Sequence, residues 1–309
     1  MRFSCRSQSR LLATAAVFVV SIIGSAHAQS SESYPERCGA GIFRSQKGEY
    51  IPLPRGDVFC TLIADPKAMR SFAAYQKGDK DDLASDIAAV GIADQFPFFR
   101  AAADGAGNGI QLGISGAVFA QFDLRAASYD LINADYMIGL PLTFRAGPFS
   151  GRARVYHQSS HLGDEFVLRP NAPERENLSF ESVELLLSID ISALRLYGGG
   201  ENFFHRDPED LADMLGHGGI ELRPRASVNF GSLAVGRIVA AADVKVVNDS
   251  TTRTGVSVRA GFEFGRPRDD EVPSRRWSLL AEYYDGPSPY GQFHRQKVRL
   301  TGLGFYFSL

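Results

Sequence analysis

Three side chains of the types that perform acyl transfer stand at spacings that would bring them onto one surface. His157 and Ser159 are two residues apart, and Glu181 follows further along the chain. Because residues two apart in a β-strand point to the same side, His157 and Ser159 would share a face. A serine that attacks a carbonyl, a histidine that takes its proton and a carboxylate that orients the imidazole suffice for acyl transfer. The alternative is a structural or lipid-headgroup role for the same residues.

The elements that must position these residues are strands. Apolar and polar residues alternate over long stretches such as 110–123 and 132–145. This period of two is typical of strands that have one apolar and one polar face. We count ten such segments after residue 108, and weaker ones at about 63–76 and 86–101 bring the total to twelve.

The predicted fold class is all-β, a transmembrane antiparallel β-barrel of about twelve strands. An even number of strands and segments near ten residues suit an outer-membrane barrel, with the apolar face toward lipid. The polar face carries charges of both signs, and most of the cations are arginine. Because arginine pairs bidentately with carboxylates, we expect a polar, ion-paired and filled interior. A narrow channel with a charged lining and a soluble β-sandwich or propeller are the alternatives.

Alternation also predicts where the three residues lie. Ala153 and Val155 are apolar, so His157 and Ser159 would continue the lipid-facing side of the same strand. The next strand is predicted over 177–190, and Glu181 lies on its outward face together with Asn177 and Ser179. An antiparallel pairing counted from the inner end of the barrel, where the turns are short, brings Glu181 close to His157 and Ser159. The long loop at 161–176 places this group near the outer leaflet.

The first 28 residues read as a cleaved signal peptide. Arg2, Arg6 and Arg10 form a positive start, residues 11–23 are apolar, and Ala26-His27-Ala28 is a small-residue cleavage site. An uncleaved anchor is the alternative. We expect residues 29–62 to form an N-terminal periplasmic segment or a plug, residues 63–309 to form the barrel, and the protein to reach the cell outer membrane.

Two cysteines remain after the signal peptide. Cys38 and Cys60 would be in an oxidising compartment, where they either form a disulfide or stay as two thiols. The formal net charge is −2 for the whole chain, and it becomes more negative once the three arginines of the signal peptide are removed. We therefore do not expect a nucleic-acid partner.

The loop after the His-x-Ser pair contains further polar groups. His161, Asp164 and Glu165 form a candidate lipid- or ion-binding loop. Asp164 and Glu165 offer hard oxygen ligands that suit calcium together with lipopolysaccharide phosphates; a solvated loop is the alternative. The sequence shows no paired Cys/His metal spacing, so no firm cofactor is predicted.

The last strand predicts an assembly partner. Leu303, Phe305, Phe307 and Leu309 alternate up to the final residue. Such an aromatic terminal strand resembles the segment that the barrel assembly machinery recognises, with Leu309 where Phe is more usual.

The His-x-Ser pair resembles that of outer-membrane phospholipase A and of the lipid A deacylases. Both carry the pair on the lipid face, with a third member on the next strand. The resemblance implies that His157 is the base and Ser159 the nucleophile. Glu181 fits the third position by its face, and Asn177 and Ser179, which lie on the same face, are the other candidates for it. In those enzymes Asn follows the Ser, whereas Ser160 and His161 follow here.

A broader resemblance covers nearly the whole mature chain. The sequence is similar to a bacterial outer-membrane family of unknown function that is recognised by a YHQSSHLGDE-type motif. The segments that carry this resemblance are 62–66 (LIADP), 129–136 (YDLINADY), 156–165 (YHQSSHLGDE), 201–210 and 281–292. It implies an outer-membrane location and a barrel fold, and it implies no activity.

Overall fold

Long antiparallel strands make up most of the described part of the chain. The computed structural model describes residues 47–79, 85–104, 107–170, 172, 174–224, 228–230, 234–248, 252–265 and 276–307. The strands are β1 (Tyr50–Pro52), β2 (Ser71–Gly78), β3 (Asp86–Ala102), β4 (Gly109–Asp123), β5 (Leu131–Ala146), β6 (Phe149–Leu162), β7 (Leu178–Ile191), β8 (Leu194–Asp207), β9 (Met214–Leu222), β10 (Val228–Asn229), β11 (Val235–Asn248), β12 (Thr252–Gly265), β13 (Trp277–Pro287) and β14 (Lys297–Phe307). Helix α1 (Asp164–Val167) and a 3-10 helix (Gly291–Phe293) are short.

Twelve of the described strands close into a barrel, which confirms the predicted fold class. Each strand pairs with its neighbours in chain order, and the pairing of β14 with β2 joins the two ends of the ring. The short β1 and β10 attach to β3 and β11 outside this ring. None of the helices in the described part of the chain is long and apolar enough to cross a membrane.

Alternation along each strand separates an apolar exterior from a polar interior. On β5, Ile138 and Leu140 are more than half exposed, whereas the neighbouring Asp135 is fully buried. One end of the barrel carries the tight turn at 147–148 and the turn at 192–193; we call it the turn end and the opposite one the loop end. Aromatic rings cover the exterior at the turn end, where Trp277 stacks on Phe264 at 4.1 Å between ring centroids. Such aromatic girdles mark membrane interfaces in barrels.

The lumen is filled by ion pairs. Glu184 accepts hydrogen bonds from Arg152 at 2.7 Å and from Arg154 at 2.9 Å. Further buried pairs link Arg237 with Glu263, Arg195 with Glu221, and Arg259 with Glu282. Charged groups of opposite sign can leave water at such sites because each one finds a partner. A half-enclosed cavity of about 170 Å³ remains near the loop end.

A stretch of chain before the first barrel strand runs through the lumen. Residues 58–69, the inner segment, are mostly buried, and Val58, Leu62 and Ile63 are about 1% exposed. Arginines of the barrel wall bind its backbone: Arg195 donates to the Cys60 carbonyl at 2.9 Å and Arg259 to the Ile63 carbonyl at 3.0 Å.

The first barrel strand begins later in the chain than the sequence predicts. The weak alternation at about 63–76 predicted a strand, but β2 begins only at Ser71, and the boundary predicted at residue 62 falls within the inner segment. Residues 63–69 include both apolar and polar types. The structure accommodates both because these residues lie within the packed lumen, where contacts of both kinds are available. Residues 1–28, Gln29, Cys38 and Leu309 lie outside the described residues, as does most of 29–62.

Candidate active site

His157 and Ser159 lie on the exterior of β6, five and three residues before the strand ends at Leu162 near the loop end. The imidazole of His157 is 43% exposed, and Ser159 is half-buried. Tyr156, Gln158 and Ser160 alternate with them and are buried in the lumen. The strand therefore presents the two residues on the same side, as its period of two requires.

Glu181 of β7 lies directly across from His157. The two residues are Cα partners in the β6–β7 pairing, and His157 Nδ1 is 3.0 Å from Glu181 Oε1. When Nδ1–H donates to the carboxylate, Nε2 is left as an acceptor. This is the tautomer in which a histidine can take a proton from a serine hydroxyl.

Ser159 is the next outward residue along β6. Residues two apart on a strand are separated by about 7 Å at Cα, a span that a serine and an imidazole side chain can cover between them. The cross-strand partners of Ser159 are Tyr136 and Ser179. Of the three candidates for the third member, Glu181 contacts His157, whereas Asn177 donates a hydrogen bond to Asp207.

A second histidine, His205, approaches the same carboxylate, and the alternation in the sequence does not predict it. His205 Nδ1 is 3.5 Å from Glu181 Oε2, and its side chain is 82% exposed. A register shift between Ser179 and Glu181 in the β7–β8 pairing, with a positive φ of 46° at His205, brings it there. An irregularity of this kind breaks the alternation from which sequence reasoning works. We call His157, Ser159, Ser179, Glu181 and His205 the exterior polar cluster.

Ser160 faces the opposite way, into the lumen, where it is buried. Its hydroxyl contacts Asp135, which also pairs with Lys67 of the inner segment. The 3-10 helix docks on this group, because Gln292 donates its backbone N–H to Ser160 Oγ at 3.1 Å and its side-chain amide to the Ser160 carbonyl at 2.8 Å. Burial lowers the pKa of Lys67, while Asp135 opposes this effect. Ser160 thus joins a strand, a loop and the inner segment, and is inaccessible to a substrate.

The residues of the candidate ion-binding loop lie on two different elements. His161 is the last outward residue of β6. Its ring packs edge-to-face with that of Tyr136, with 5.8 Å between the ring centroids. Asp164 and Glu165 are exposed in the first turn of α1, while Phe166 beside them is buried. Their carboxylates would suit calcium only together with oxygens from another molecule, as in the lipopolysaccharide hypothesis.

His217 brings together two groups of potential metal ligands inside the lumen. Asp65 and Asp243 lie on one side of it, and Glu184 and Glu201 complete the second group. These carboxylates already have partners: Lys245 pairs with Asp65 at 2.8 Å, and His217 and Tyr197 hydrogen-bond Asp243 at 2.7 and 2.6 Å. Lysine and arginine next to the oxygens fit an ion-paired core better than a metal site.

Cys60 lies in the inner segment. It is buried and disulfide-bonded, and Arg145 lies 3.6 Å from its sulfur. Cys38 lies outside the described residues.

The family model for proteins of unknown function DUF1207 matches residues 42–309, which include every described barrel strand. The chain belongs to the DUF1207 family. No curated protein matches this DUF1207 chain.

The fold is similar to that of a solved outer-membrane enzyme. Outer membrane phospholipase A from Escherichia coli aligns with a TM-score of 0.51 at 14% identity, over 77% of this chain and 92% of the enzyme. An active-site mutant of the same enzyme gives 0.50 at 13% identity, over 80% of this chain and 94% of the enzyme. The KdgM porin gives 0.41 at 9% identity, over 76% and 98%. Likeness at such identity concerns the fold, and function must be argued from the site.

Proposed function

We propose that this DUF1207 protein is an outer-membrane serine hydrolase that cleaves acyl esters of lipids in the outer leaflet. The observation that carries the proposal is the hydrogen bond between His157 and Glu181 on the exterior of the barrel, with Ser159 the next residue on that face. Polar residues are uncommon on the apolar exterior, and here a base, its orienting carboxylate and a hydroxyl occur together.

The reaction uses each of the three side chains. His157 Nε2 takes the proton of Ser159 Oγ as the oxygen attacks the ester carbonyl. The bond to the leaving alcohol breaks, the imidazolium returns the proton to that alcohol, and an acyl group remains on Ser159. Water then attacks this ester with His157 again as the base, which releases a carboxylic acid. Glu181 acts as a positioning residue that holds the imidazole and its tautomer.

The surroundings support a lipid as the substrate. Below the exterior polar cluster, toward the turn end, the outward residues Val155, Val183, Leu185 and Leu187 are apolar and about half exposed. An apolar band of this kind faces hydrocarbon in membrane barrels, so that the cluster would lie near the lipid headgroups. Phospholipid or lipid A acyl chains are the substrates that reach this position from the membrane itself. The expected location is the outer membrane, with the turn end of the barrel toward the periplasm.

A serine-directed fluorophosphonate probe tests the proposal. The refolded protein in detergent should be labelled, and Ser159→Ala and His157→Ala should both abolish labelling. Ser179→Ala is the matched control because Ser179 is half-buried on the same exterior face, opposite Ser159. Its labelling should match that of the wild type. A well-folded wild type that is not labelled, with and without calcium, would contradict the hydrolase.

The alternative is a barrel without catalysis that has a structural or lipid-binding role. The observation that favours it is the filled lumen, with the inner segment and the ion pairs in place of a channel. Polar side chains near the rim of a barrel also cost little. Conductance in a planar bilayer separates this alternative from a narrow pore, since a filled lumen should pass no steady current.

A further inference from the structure

A shallow trough of about 430 Å³ starts at His157 and crosses the barrel exterior. It runs over four adjacent strands, from β6 through β5 and β4 to β3. The side chains along it are His157, Ile138, Tyr136, Val118, Ile92 and Asp94.

The trough exists because a glycine lies in the middle of its floor. Asp94, Gly116, Ile138 and His157 are successive cross-strand partners and form one continuous row. Gly116 has no side chain, and a Cβ placed there would meet only the Met137 carbonyl oxygen, at 4.0 Å. The row therefore dips at Gly116, between Asp94 and Ile138, and the larger side chains around it form the walls.

The dimensions and the chemistry of the trough suit a hydrocarbon chain. Four strands are separated by three spacings of about 4.8 Å, which makes the row about 14 Å long. This is close to the extended length of a lauroyl chain. Ile92 and Ile138 are 66% and 57% exposed, so that apolar surface is available to an occupant. Burial of that surface against methylene groups is favourable.

Asp94 ends the trough with a carboxylate. It is exposed on the exterior of β3, and it accepts a hydrogen bond from the backbone N–H of Gln95 at 2.8 Å. A methylene group laid over this carboxylate would remove its solvation without offering a hydrogen bond, which is unfavourable. The trough thus favours apolar groups up to Asp94 and disfavours them beyond it.

We propose that this trough holds the acyl chain of the substrate, and that Asp94 sets an upper limit on the length of that chain. The inference rests on the proposed function, because it assumes that the ester lies at Ser159, beside the His157 end of the trough. The substrate class is then a lipid ester with a medium-length acyl chain. Gly116 and Asp94 are specificity-determining residues.

Hydrolysis of nitrophenyl esters by the refolded full-length protein tests the trough. Wild type should hydrolyse the laurate with a higher kcat/KM than the butyrate or the palmitate. Gly116→Leu fills the floor and should lower kcat/KM for the laurate by about 10-fold or more, with the butyrate within twofold. Asp94→Leu should raise the palmitate relative to the laurate.

Gly198→Leu is the matched control. Gly198 is an exposed glycine on the exterior of β8, and a Cβ there would meet only the His217 carbonyl oxygen, at 3.8 Å. It should leave the preference for chain length unchanged. Equal losses on butyrate and laurate in Gly116→Leu, or an unchanged palmitate to laurate ratio in Asp94→Leu, would overturn the proposal.

A separate measurement keeps the trough testable if the proposed function fails. Absence of hydrolysis of every ester by wild type would contradict the hydrolase itself. Photocrosslinking with a diazirine-bearing lauric acid then reports on the trough alone. Crosslinks to residues 109–123 that disappear in Gly116→Leu and persist in Gly198→Leu would support an acyl-chain site. Crosslinks that are the same in both variants would exclude it.

Discussion

Two glutamates on one strand show how differently the two sides of the barrel use polar residues. Glu184 and Glu181 are both on β7, three residues apart, so that alternation places them on opposite faces. Glu184 is buried and ion-paired with Arg152 and Arg154. Glu181 is 34% exposed and contacts only the imidazoles of His157 and His205 among the described ion pairs.

The fold requires Glu184 in the lumen, whereas it does not require Glu181 on the exterior. Removing the Glu184 carboxylate would leave two arginines unpaired in the lumen, whereas lipid or water can cover the position of Glu181. Ser160 and Ser159 repeat this contrast on β6, one within the Asp135 and Gln292 group and the other on the exterior. Polar groups that folding does not explain are the stronger candidates for function.

The largest effect is expected at Glu184. Glu184→Leu leaves Arg152 and Arg154 buried without their carboxylate, which should lower the free energy of unfolding by about 3–5 kcal/mol. Urea titration of the refolded barrel, followed by the gel mobility of the folded form, measures this. A variant as stable as wild type would show that the lumenal ion pairs do not hold the barrel together. It would contradict the contrast between Glu184 and Glu181.

The matched change on the exterior should affect catalysis and not stability. Glu181→Gln removes the charge that orients His157, and kcat/KM should fall by about 10²-fold, or about 2.7 kcal/mol. The free energy of unfolding should change by less than about 0.5 kcal/mol, since the site is exposed. A purely structural role would leave the pH profile of the residual activity unchanged, so that profile is the second measurement. A loss of stability comparable to that of Glu184→Leu would refute the distinction.

A smaller effect is expected at Asp57, just before the inner segment. Its carboxylate accepts hydrogen bonds from the amides of Gln95 and Gln111, both at 2.9 Å. Burial raises its pKa from 3.8 to about 6, against the effect of these hydrogen bonds. A raised pKa means that the folded state holds the proton more tightly, so this stabilisation is present below pH 3.8 and is lost as the pH rises through about 6.

Asp57→Asn should therefore remove part of the pH dependence of stability. We expect the variant to gain about 1 kcal/mol relative to wild type between pH 4 and pH 7.5, less than the full shift implies because the group is partly exposed. Urea midpoints at the two pH values measure this gain. An identical slope against pH in both proteins would show that Asp57 does not titrate differently on folding.

Much of the fold could be predicted because one pattern sets it. Alternation in 110–123 and 132–145 predicted strands that the structure confirms as β4 and β5. The pattern failed at 63–69, where residues that pack inside the barrel carry the same mixture of polar and apolar types as a strand. Composition along the chain cannot distinguish a barrel wall from a segment that the wall encloses.

The candidate site was predictable to the extent that it depends on register. His157 and Ser159 share a face in any regular strand, and the antiparallel pairing of β6 with β7 puts Glu181 opposite His157. His205 could not be found in this way because it arrives through a register shift. Neither could the trough, since Gly116 and Asp94 matter only through neighbours on other strands.

The sequence by itself determined most of the strands, the two faces of each strand and the barrel fold class, because side chains alternate along a strand with a period of two and only the apolar set suits the exterior of a membrane barrel. Only the tertiary structure decided which polar groups meet in the lumen. Partners such as Lys67 with Asp135, or Arg195 with the Cys60 carbonyl, are far apart in the chain and are joined by closure of the barrel around the inner segment. The exterior polar cluster is local to three adjacent strands, so that its main pair could be anticipated. The trough beside it crosses four strands, and its residues are brought together by the register between those strands, which the sequence does not give.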